Sequence, residues 1–303
     1  MRTLRRGSRG DDVTVMQNLL IYCGHELVAD GIFGKGTEAH VESFQEDNDL
    51  YADGVVGGDT WAKLFALAGI APLEQTMPWV TVGFDVVDLP GGEKSYATTK
   101  LRGDVAEKFA DVRTRLNAQG VMLATAGGQR RLKPPTSSNQ SATSMHYVGR
   151  ALDLPPYAGM VNPLKDPYVI TVNHADSDLR RFIVWGRGNH TCPVIKLLGV
   201  TYEKSGIEDH YPQRLIEVED HFVNITEVFA DYGIVPIRAR RSFFHPEKKN
   251  NGGAEWWHFQ DVSELIAGET LFGDELLRVW SKSELENSAP WQYRNRVYGV
   301  NWF

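Results

Sequence analysis

Cysteine is scarce in this sequence, and no long hydrophobic run occurs. Cys23 and Cys192 are the only two cysteines among 303 residues, which argues against a disulfide framework and a cysteine-based metal knuckle. The most apolar window, 64–73, is about half of the ~20 residues that a membrane-spanning helix needs, so we expect no membrane span. The basic N-terminus runs into Asp11 and Asp12 without an apolar stretch, and no Sec-type signal peptide is predicted. We therefore expect synthesis in a cytoplasm.

Standard catalytic motifs are also missing. The sequence has no Walker loop, no strand-bounded Gly-x-Gly-x-x-Gly and no Gly-x-Ser-x-Gly, which argues against P-loop, dinucleotide-binding and α/β-hydrolase chemistry. His25-Glu26 is not followed by a second histidine at the thermolysin-type spacing. We interpret His25 as a surface or boundary histidine.

The composition is that of an ordinary globular protein, with 42% hydrophobic residues, 23% charged residues and a net charge of −7. The length predicts two domains, and we expect a monomer. The acidic balance argues against nucleic acid as a partner. One basic run flanks Phe243 and Phe244, and we interpret it as a solvated loop. Its members are Arg238, Arg240, Arg241, Lys248 and Lys249.

The first seventy residues contain an imperfect repeat. Residues 29–34, Ala-Asp-Gly-Ile-Phe-Gly, return as Ala-Asp-Gly-Val-Val-Gly at 52–57. Asp-Gly favours a tight turn, and Thr37 or Thr60 after each copy can cap a following helix. Apolar residues at helical spacing predict three short helices around these turns. They are Val13, Met16, Leu19, Leu20, Val41, Phe44, Trp61, Leu64 and Phe65.

The N-terminal pattern carries a family resemblance. About fifteen positions between 4 and 61 fall in register with the three-helix peptidoglycan-binding domain of bacterial and phage cell-wall hydrolases, and the resemblance covers roughly residues 1–68. The positions include Leu4, Gly7, Gly10, Val13, Gln17, Asp30, Gly31, Phe33, Gln45, Asp53, Gly54 and Trp61. The resemblance implies binding to peptidoglycan muropeptides. A small helical dimerisation domain with the same turns is the alternative.

The remainder of the chain predicts an α+β domain. We expect domains at 1–70 and 101–303, with a Pro- and Gly-containing linker at 71–100. The second domain would open with a helix capped by Asp104 and ended by Gly120, followed by a strand over 121–125. Apolar residues from Leu215 to Phe229 predict a long amphipathic helix. Helices alternating with short strands indicate a small antiparallel sheet.

Two segments carry the chemistry. The first is Ser144-x-His146-x-x-Gly149-x-Ala151-x-Asp153, and the second is Glu255-Trp256-Trp257-His258. Two histidines and one carboxylate are a typical ligand set for catalytic zinc. If Gly149 begins a strand, Gly149, Ala151 and Asp153 share one face. Glu255 would be an unligated general base beside the metal, and the two tryptophans would wall the site.

These segments resemble the zinc D-alanyl-D-alanine peptidase family, which contains D,D-carboxypeptidases, D-alanyl-D-alanine dipeptidases and phage L-alanyl-D-glutamate endolysins. The resemblance implies that His146, Asp153 and His258 are zinc ligands and that Glu255 is the base. It also implies an upstream arginine, with Arg130 a better match than Arg131, that holds the substrate or stabilises its oxyanion. Ser144 binds substrate or orients His146, and we place Trp257 among the substrate-binding residues.

The sequence departs from the compact family pattern in one place. Residues 154–254 separate Asp153 from Glu255, and we interpret 155–211 as an insertion that shapes or covers the cleft. Family members that cleave L-Ala-D-Glu often have aspartate at the position of Glu255. The glutamate here therefore favours cleavage at D-Ala.

The sequence thus predicts a two-domain, endolysin-like zinc peptidase that hydrolyses an amide bond in the stem or cross-bridge of peptidoglycan. It would reach the cell wall through a holin or a secretion machine. The alternatives are a non-catalytic wall-binding protein with a structural zinc site, an L-alanyl-D-glutamate endopeptidase, and an intracellular dipeptidase.

Overall fold

The computed structural model describes residues 3–69, 77–132, 143–176, 180–204, 213–244, 251–266, 270 and 272–287. Contacts within the chain define two units. One comprises 1–76, 132–144 and 265–303, and the other comprises 77–131 and 145–264. The boundaries expected at residues 70 and 100 stay predictions, as does the interpretation of 155–211 as an insertion.

Three helices form the N-terminal part of the first unit. They are α1 (Asp11–Tyr22), α2 (Lys35–Asp47) and α3 (Gly58–Leu67). Their apolar faces enclose a small core, which confirms the predicted three-helix arrangement. The buried members are Leu4, Val13, Met16, Leu19, Leu20, Phe33, Val41, Phe44, Val56, Trp61 and Leu64.

A buried glutamine holds each Asp-Gly turn of the repeat. Gln17 donates from Nε2 to Asp30 Oδ1 at 2.9 Å and accepts from the Gly31 amide at 2.9 Å. Gln45 makes the same bonds to Asp53 and Gly54, at 3.0 and 2.9 Å. Each turn therefore has its polar groups satisfied inside the domain by the preceding helix.

The predicted capping role of the two threonines is wrong. The N-caps of α2 and α3 are Gly34 and Gly57, without a side-chain capping bond. Thr37 and Thr60 lie inside the first turns, where their hydroxyls accept from Gln17 and Gln45 at 3.4 and 3.1 Å. Because these hydroxyls lie beside the buried glutamines, they join the turn networks instead of binding the helix amides.

The second unit begins with a two-stranded antiparallel sheet of β1 (Trp79–Gly83) and β2 (Thr98–Arg102). Helix α4 (Gly103–Ala118) follows. All four of its predicted apolar residues are buried: Val105, Phe109, Val112 and Leu116.

Two details around α4 differ from prediction. The N-cap is Arg102, and Asp104 lies in the first turn, where its carboxylate accepts two bonds from Arg102 at 2.7 Å each. Residues 121–125 form no strand and make only an isolated bridge, between Thr125 and Tyr96. The bridge and Leu123, which donates its amide to Asp85 at 2.8 Å, nevertheless tie this segment to the start of the unit.

Two antiparallel sheets complete the second unit. The three-stranded sheet has the order β3-β9-β8, and the four-stranded sheet has the order β4-β5-β7-β6. The strands are β3 (Ala151–Asp153), β4 (Tyr168–Val172), β5 (Phe182–Arg187), β6 (Val194–Lys204), β7 (Gln213–Asn224), β8 (Ile234–Pro236) and β9 (His258–Asp261). With the helices, they confirm the predicted α+β class.

The predicted helix over 215–229 is wrong. Strand β7 occupies this segment as far as Asn224, and only the short helix α5 (Ile225–Ala230) follows. Between Leu215 and Glu219 exposure alternates along β7, with Ile216 and Val218 on the more buried face. Pairing with β5 and β6 on both sides satisfies the strand's backbone, so tertiary partners override the apparent helical spacing.

Two further helices lie in the C-terminal segment of the first unit, α6 (Phe272–Val279) and α7 (Lys282–Glu286). None of the helices in the described ranges is long and apolar enough to cross a lipid bilayer.

The buried glutamine networks make a testable contribution to stability. We expect Gln45→Ala to lower the free energy of opening of α1–α3 by about 2 kcal/mol, because the buried Gly54 amide loses its acceptor. Native-state hydrogen exchange on the whole chain measures this. Glu46→Ala, at the neighbouring and exposed position of α2, is the control and should stay within about 0.5 kcal/mol. Equal effects of the two substitutions would contradict the role of Gln45.

Candidate metal centre

Strand pairing brings two predicted ligands together from distant parts of the chain. Strands β3 and β9 are antiparallel, and Asp153 lies directly opposite His258 in their register. A buried ion pair supports this pairing, since Arg150 Nη1 lies 3.1 Å from Asp261 Oδ2. The Asp261 amide also donates to the Arg150 carbonyl at 2.8 Å. Register therefore places the carboxylate beside the imidazole.

The third predicted ligand, His146, lies in a short 3-10 helix, Met145–Val148, just before β3. Gly149 then reverses the chain with φ +71°, and a Cβ added there would lie 2.6 Å from the Arg102 nitrogen. Gly149 thus belongs to a left-handed turn that favours glycine, and the strand begins at Ala151. The turn directs His146 towards Asp153.

The ligand atoms of the three residues converge. His146 Nε2 lies 3.1 Å from Asp153 Oδ2 and 3.2 Å from His258 Nδ1, and His258 Nδ1 lies 2.9 Å from Asp153 Oδ1. Tetrahedral nitrogen ligands at 2.0–2.1 Å from zinc lie about 3.3 Å apart, so the spacing suits zinc. In the described ranges, this is the group of three or more potential ligands whose atoms all lie within 4.8 Å of one another.

A backbone carbonyl orients the His146 ring. His146 Nδ1 bonds to the carbonyl of Gly128, which assigns the proton to Nδ1 and leaves the Nε2 lone pair for a metal. Gly128 is itself anchored, because its amide donates to Thr99 Oγ1 at 2.8 Å. Sequence reasoning used Gly127-Gly128 only to locate an arginine and missed this carbonyl. The pair of adjacent glycines was the sequence signal that could have indicated a closely packed backbone at this point.

The Asp153 carboxyl is adapted to an anionic role. Burial raises its pKa, but the neighbouring His146 and His258 rings lower it by more. The net pKa lies well below the ordinary value for aspartate. Asp153 is therefore ionised at neutral pH, as a carboxylate ligand must be.

Glu255 lies one turn away from the ligand His258. The His258 amide donates to the Glu255 carbonyl at 3.1 Å, and Glu255 has the left-handed φ of +51°. Its carboxylate is mostly buried and accepts from Arg240 Nε at 2.7 Å. Glu255 is not a member of the 4.8 Å ligand group. The structure thus places Glu255 in a tight turn with His258 and pairs its carboxylate with a cation.

The remaining predicted site residues have separate environments. The Arg130 amide donates to the His146 carbonyl at 3.1 Å, and its guanidinium lies 5.6 Å from the centre of the Tyr147 ring. Arg131 is exposed, whereas Ser144 is partly buried immediately before the 3-10 helix. The Arg130 contacts place its backbone beside a ligand. The roles of Arg130, Arg131 and Ser144 stay predictions.

The two tryptophans do not share one environment. Trp256 is 1% exposed and donates from Nε1 to Tyr202 Oη at 2.9 Å, so it belongs to the core and does not wall the site as predicted. Trp257 is partly buried, and its carbonyl accepts from the Leu154 amide at 2.8 Å. Its place among the substrate-binding residues stays a prediction.

The three described cations of the basic run, Arg238, Arg240 and Arg241, are exposed, as expected for a solvated loop, but the aromatic residues that follow them are not. Phe243 is 3% exposed and packs against Phe182. Arg238 pairs with Asp176 at 2.9 Å, and Arg240 pairs with Glu255. The aromatic residues anchor the segment, and two of its cations meet carboxylates. Lys248 and Lys249 lie outside the described residues.

Comparison with known families accounts for the N-terminal helices. Residues 9–64 match the family described as putative peptidoglycan binding domain. The match covers α1, α2 and most of α3 and confirms the first predicted resemblance. The first unit thus contains a peptidoglycan-binding domain at its N-terminus.

The second resemblance is also confirmed. A zinc D-Ala-D-Ala carboxypeptidase of Streptomyces albus G is 30% identical over 156 residues, which cover 50% of this chain and 60% of that protein. The chain spans between about half and three fifths of the length of the curated relatives it matches.

Two solved structures are also similar. A Burkholderia AP3 phage endolysin is 40% identical, with a TM-score of 0.22, over 24% of this chain and 28% of that chain. A fused Zn-dependent amidase/peptidase/peptidoglycan-binding domain-containing protein from Clostridium acetobutylicum is 18% identical, with a TM-score of 0.21. The shares covered are 76% of this chain and 86% of that chain.

The Gly128 carbonyl provides a test of the site. A Cβ at Gly128 would lie 2.6 Å from Leu101 Cδ2 and 3.0 Å from the Lys100 carbonyl, so the neighbours or the Gly128 backbone must shift in Gly128→Ala, and we expect the carbonyl that orients His146 to move. We expect zinc affinity to fall about 10–100-fold. Gly36→Ala, in α2 with open space around the added methyl group, should leave it unchanged. Competition with a chromogenic chelator measures both, and unchanged affinity in Gly128→Ala would contradict the orienting role.

Proposed function

We propose that this chain is a zinc-dependent peptidoglycan peptidase that hydrolyses an amide bond of the peptide stem or cross-bridge. The observation that carries the proposal is the convergence of His146, Asp153 and His258, with Glu255 in the same tight turn as His258. The N-terminal domain match supports peptidoglycan as the partner. Similarity to a zinc D-Ala-D-Ala carboxypeptidase supports the reaction class.

The residues present divide the chemistry among them. His146 and His258 supply neutral nitrogens, and Asp153 supplies one negative charge, a donor set suited to zinc. Bound zinc would supply Lewis-acid chemistry. Glu255 would accept a proton from the attacking water at its carboxylate and deliver it to the leaving amine. The Arg130 guanidinium would offset charge on the substrate oxygen.

The bond proposed for cleavage follows D-Ala. Glu255 rather than aspartate at the base position supports this choice, as does the substrate in the name of the Streptomyces relative. An L-alanyl-D-glutamate bond is the alternative within the same mechanism. A non-catalytic protein with a structural zinc site is less well supported, because such sites use four protein ligands and the group found in the described residues has three.

The N-terminal domain would hold the enzyme on its polymer. Tethering raises the concentration of peptide stems near the site without any new contact at the metal. This separation of roles means that wall binding should persist when the metal centre is disabled. We propose the cell wall as the place of action on the same grounds.

The role of Glu255 can be tested on purified peptidoglycan. We expect zinc-loaded wild type to release new amine termini and Glu255→Gln to be about 10²–10⁴-fold slower, because the base is removed while the ligands stay. Mass spectrometry of the fragments identifies the bond. Glu264→Gln is a matched control, since Glu264 also has a left-handed φ, +65°, and is exposed. It should retain activity within about twofold.

The outcomes of this digestion separate the hypotheses. Wild type without new termini rejects the peptidase function. Full activity in Glu255→Gln rejects Glu255 as the base. Termini after L-Ala instead of D-Ala select the alternative specificity.

Targeting is tested by cosedimentation with sacculi. We expect the Glu255→Gln chain to sediment with purified sacculi, and removal of zinc with a chelator to change the bound fraction less than about twofold, because the N-terminal domain carries the binding. The same chelation should abolish cleavage by wild type, and added zinc should restore it. Release of the chain from sacculi on chelation would contradict independent targeting.

A further inference from the structure

The proposed mechanism gives a role to Glu255 but none to Arg240, its partner in an ion pair. Glu255 is tied to the predicted ligand His258 by the 3.1 Å backbone bond of a tight turn. Its Oε1 accepts from Arg240 Nε at 2.7 Å. The Glu255 side chain is 13% exposed and that of Arg240 is 48% exposed. The cation therefore occupies the solvent side of a mostly buried carboxylate.

The backbone around Arg240 is anchored on two sides. Its amide donates to the Gly253 carbonyl at 2.8 Å, and the neighbouring Ala239 amide donates to the Arg180 carbonyl at 2.8 Å. Arg180 Nη1 in turn donates to the Ala239 carbonyl at 3.1 Å. These bonds fix the point from which the Arg240 side chain extends. The guanidinium is thus a defined partner of Glu255.

The candidate metal centre is sensitive to any additional carboxylate. Three protein ligands leave a position for substrate or solvent, whereas a fourth protein ligand closes the site into the structural type. Glu255 has the donor atoms of a zinc ligand and lies three residues before His258. Its carboxylate nevertheless stays outside the group of atoms within 4.8 Å of one another.

We propose that Arg240 is a positioning residue that holds Glu255 away from the metal and so keeps the fourth coordination position open. Removal of Arg240 would leave a mostly buried carboxylate without this cation, and a bound divalent metal would offer it an opposite charge. Glu255 would then become a fourth ligand. This inference rests on the zinc site of the proposed function but not on the peptidase reaction.

Metal affinity and the absorption spectrum of the cobalt(II)-substituted protein test this directly. We expect Arg240→Ala to bind zinc about tenfold or more tightly, the scale on which single partners of metal ligands change affinity. We also expect its cobalt spectrum to differ from that of wild type, because ligand number and geometry change. Peptidase activity should fall, since the base is then engaged.

The double variant Arg240→Ala/Glu255→Gln shows whether the effect passes through Glu255. An amide is a much poorer zinc ligand than a carboxylate, so we expect zinc affinity and the cobalt spectrum to return to the wild-type values. Tighter binding that persists in the double variant would overturn the proposal. So would wild-type affinity and spectrum in Arg240→Ala, or weaker binding.

Two more substitutions isolate the cation. Arg240→Lys places an ammonium one atom beyond the position of Nε and should keep the wild-type spectrum. Arg238→Ala is the matched control, because Arg238 lies two residues earlier and pairs with Asp176 instead of Glu255. It should leave zinc affinity unchanged. If Arg240→Ala does not fold, Arg240→Met makes the same comparison at a half-exposed position, and an unchanged spectrum there also overturns the proposal.

A digestion of peptidoglycan by wild type runs alongside these measurements. Failure to cleave rejects the proposed function and leaves the metal comparison valid. Cleavage together with an unchanged Arg240→Ala spectrum rejects the role of Arg240 and leaves the peptidase function standing.

Discussion

The pairing of β3 with β9 is the interaction on which the candidate metal centre depends. It joins Asp153 to His258 across 104 intervening residues, and a shift of register by one residue would turn one of the two side chains to the other face of the sheet. The buried Arg150–Asp261 pair lies in the same strand pairing. Removal of one partner of such a pair leaves a buried charge uncompensated. The ion pair therefore protects the register that builds the site.

The ligands are held by backbone geometry as much as by side chains. Gly149 reverses the chain behind His146, and Gly128 presents the carbonyl that orients its ring. Both glycines stand where an added Cβ would lie within 2.6 Å of a neighbouring atom. Close packing at these two glycines thus supports the predicted ligand His146.

Hydrogen bonds from two buried glutamines organise the turns of the N-terminal domain. Gln17 and Gln45 each satisfy an Asp-Gly turn from inside the core, so the sequence repeat is also a repeat of hydrogen bonding. A domain of this size has a small apolar core, and satisfied buried amides add specificity to it. The turns are thus held in one conformation.

Local sequence pattern was sufficient for much of the molecule. Apolar spacing predicted α1 to α4, and the residue types of two short segments identified His146, Asp153 and His258 as candidate ligands before any geometry was known. These features depend on neighbours within a few residues or on chemistry that few residue types can supply. The α+β class followed from the same local patterns.

Only the tertiary structure decided the rest. The apolar residues of 215–224 have a spacing compatible with a helix. The segment nevertheless forms strand β7, because its backbone pairs with β5 and β6. Trp256 belongs to the core because Tyr202, 54 positions earlier, meets its indole. Arg240 pairs with Glu255, 15 positions later, and no local sequence pattern predicts this contact. The sequence by itself determined which residues can bind a metal, whereas long-range pairing decided which of them meet, because those contacts depend on the packing of the whole fold.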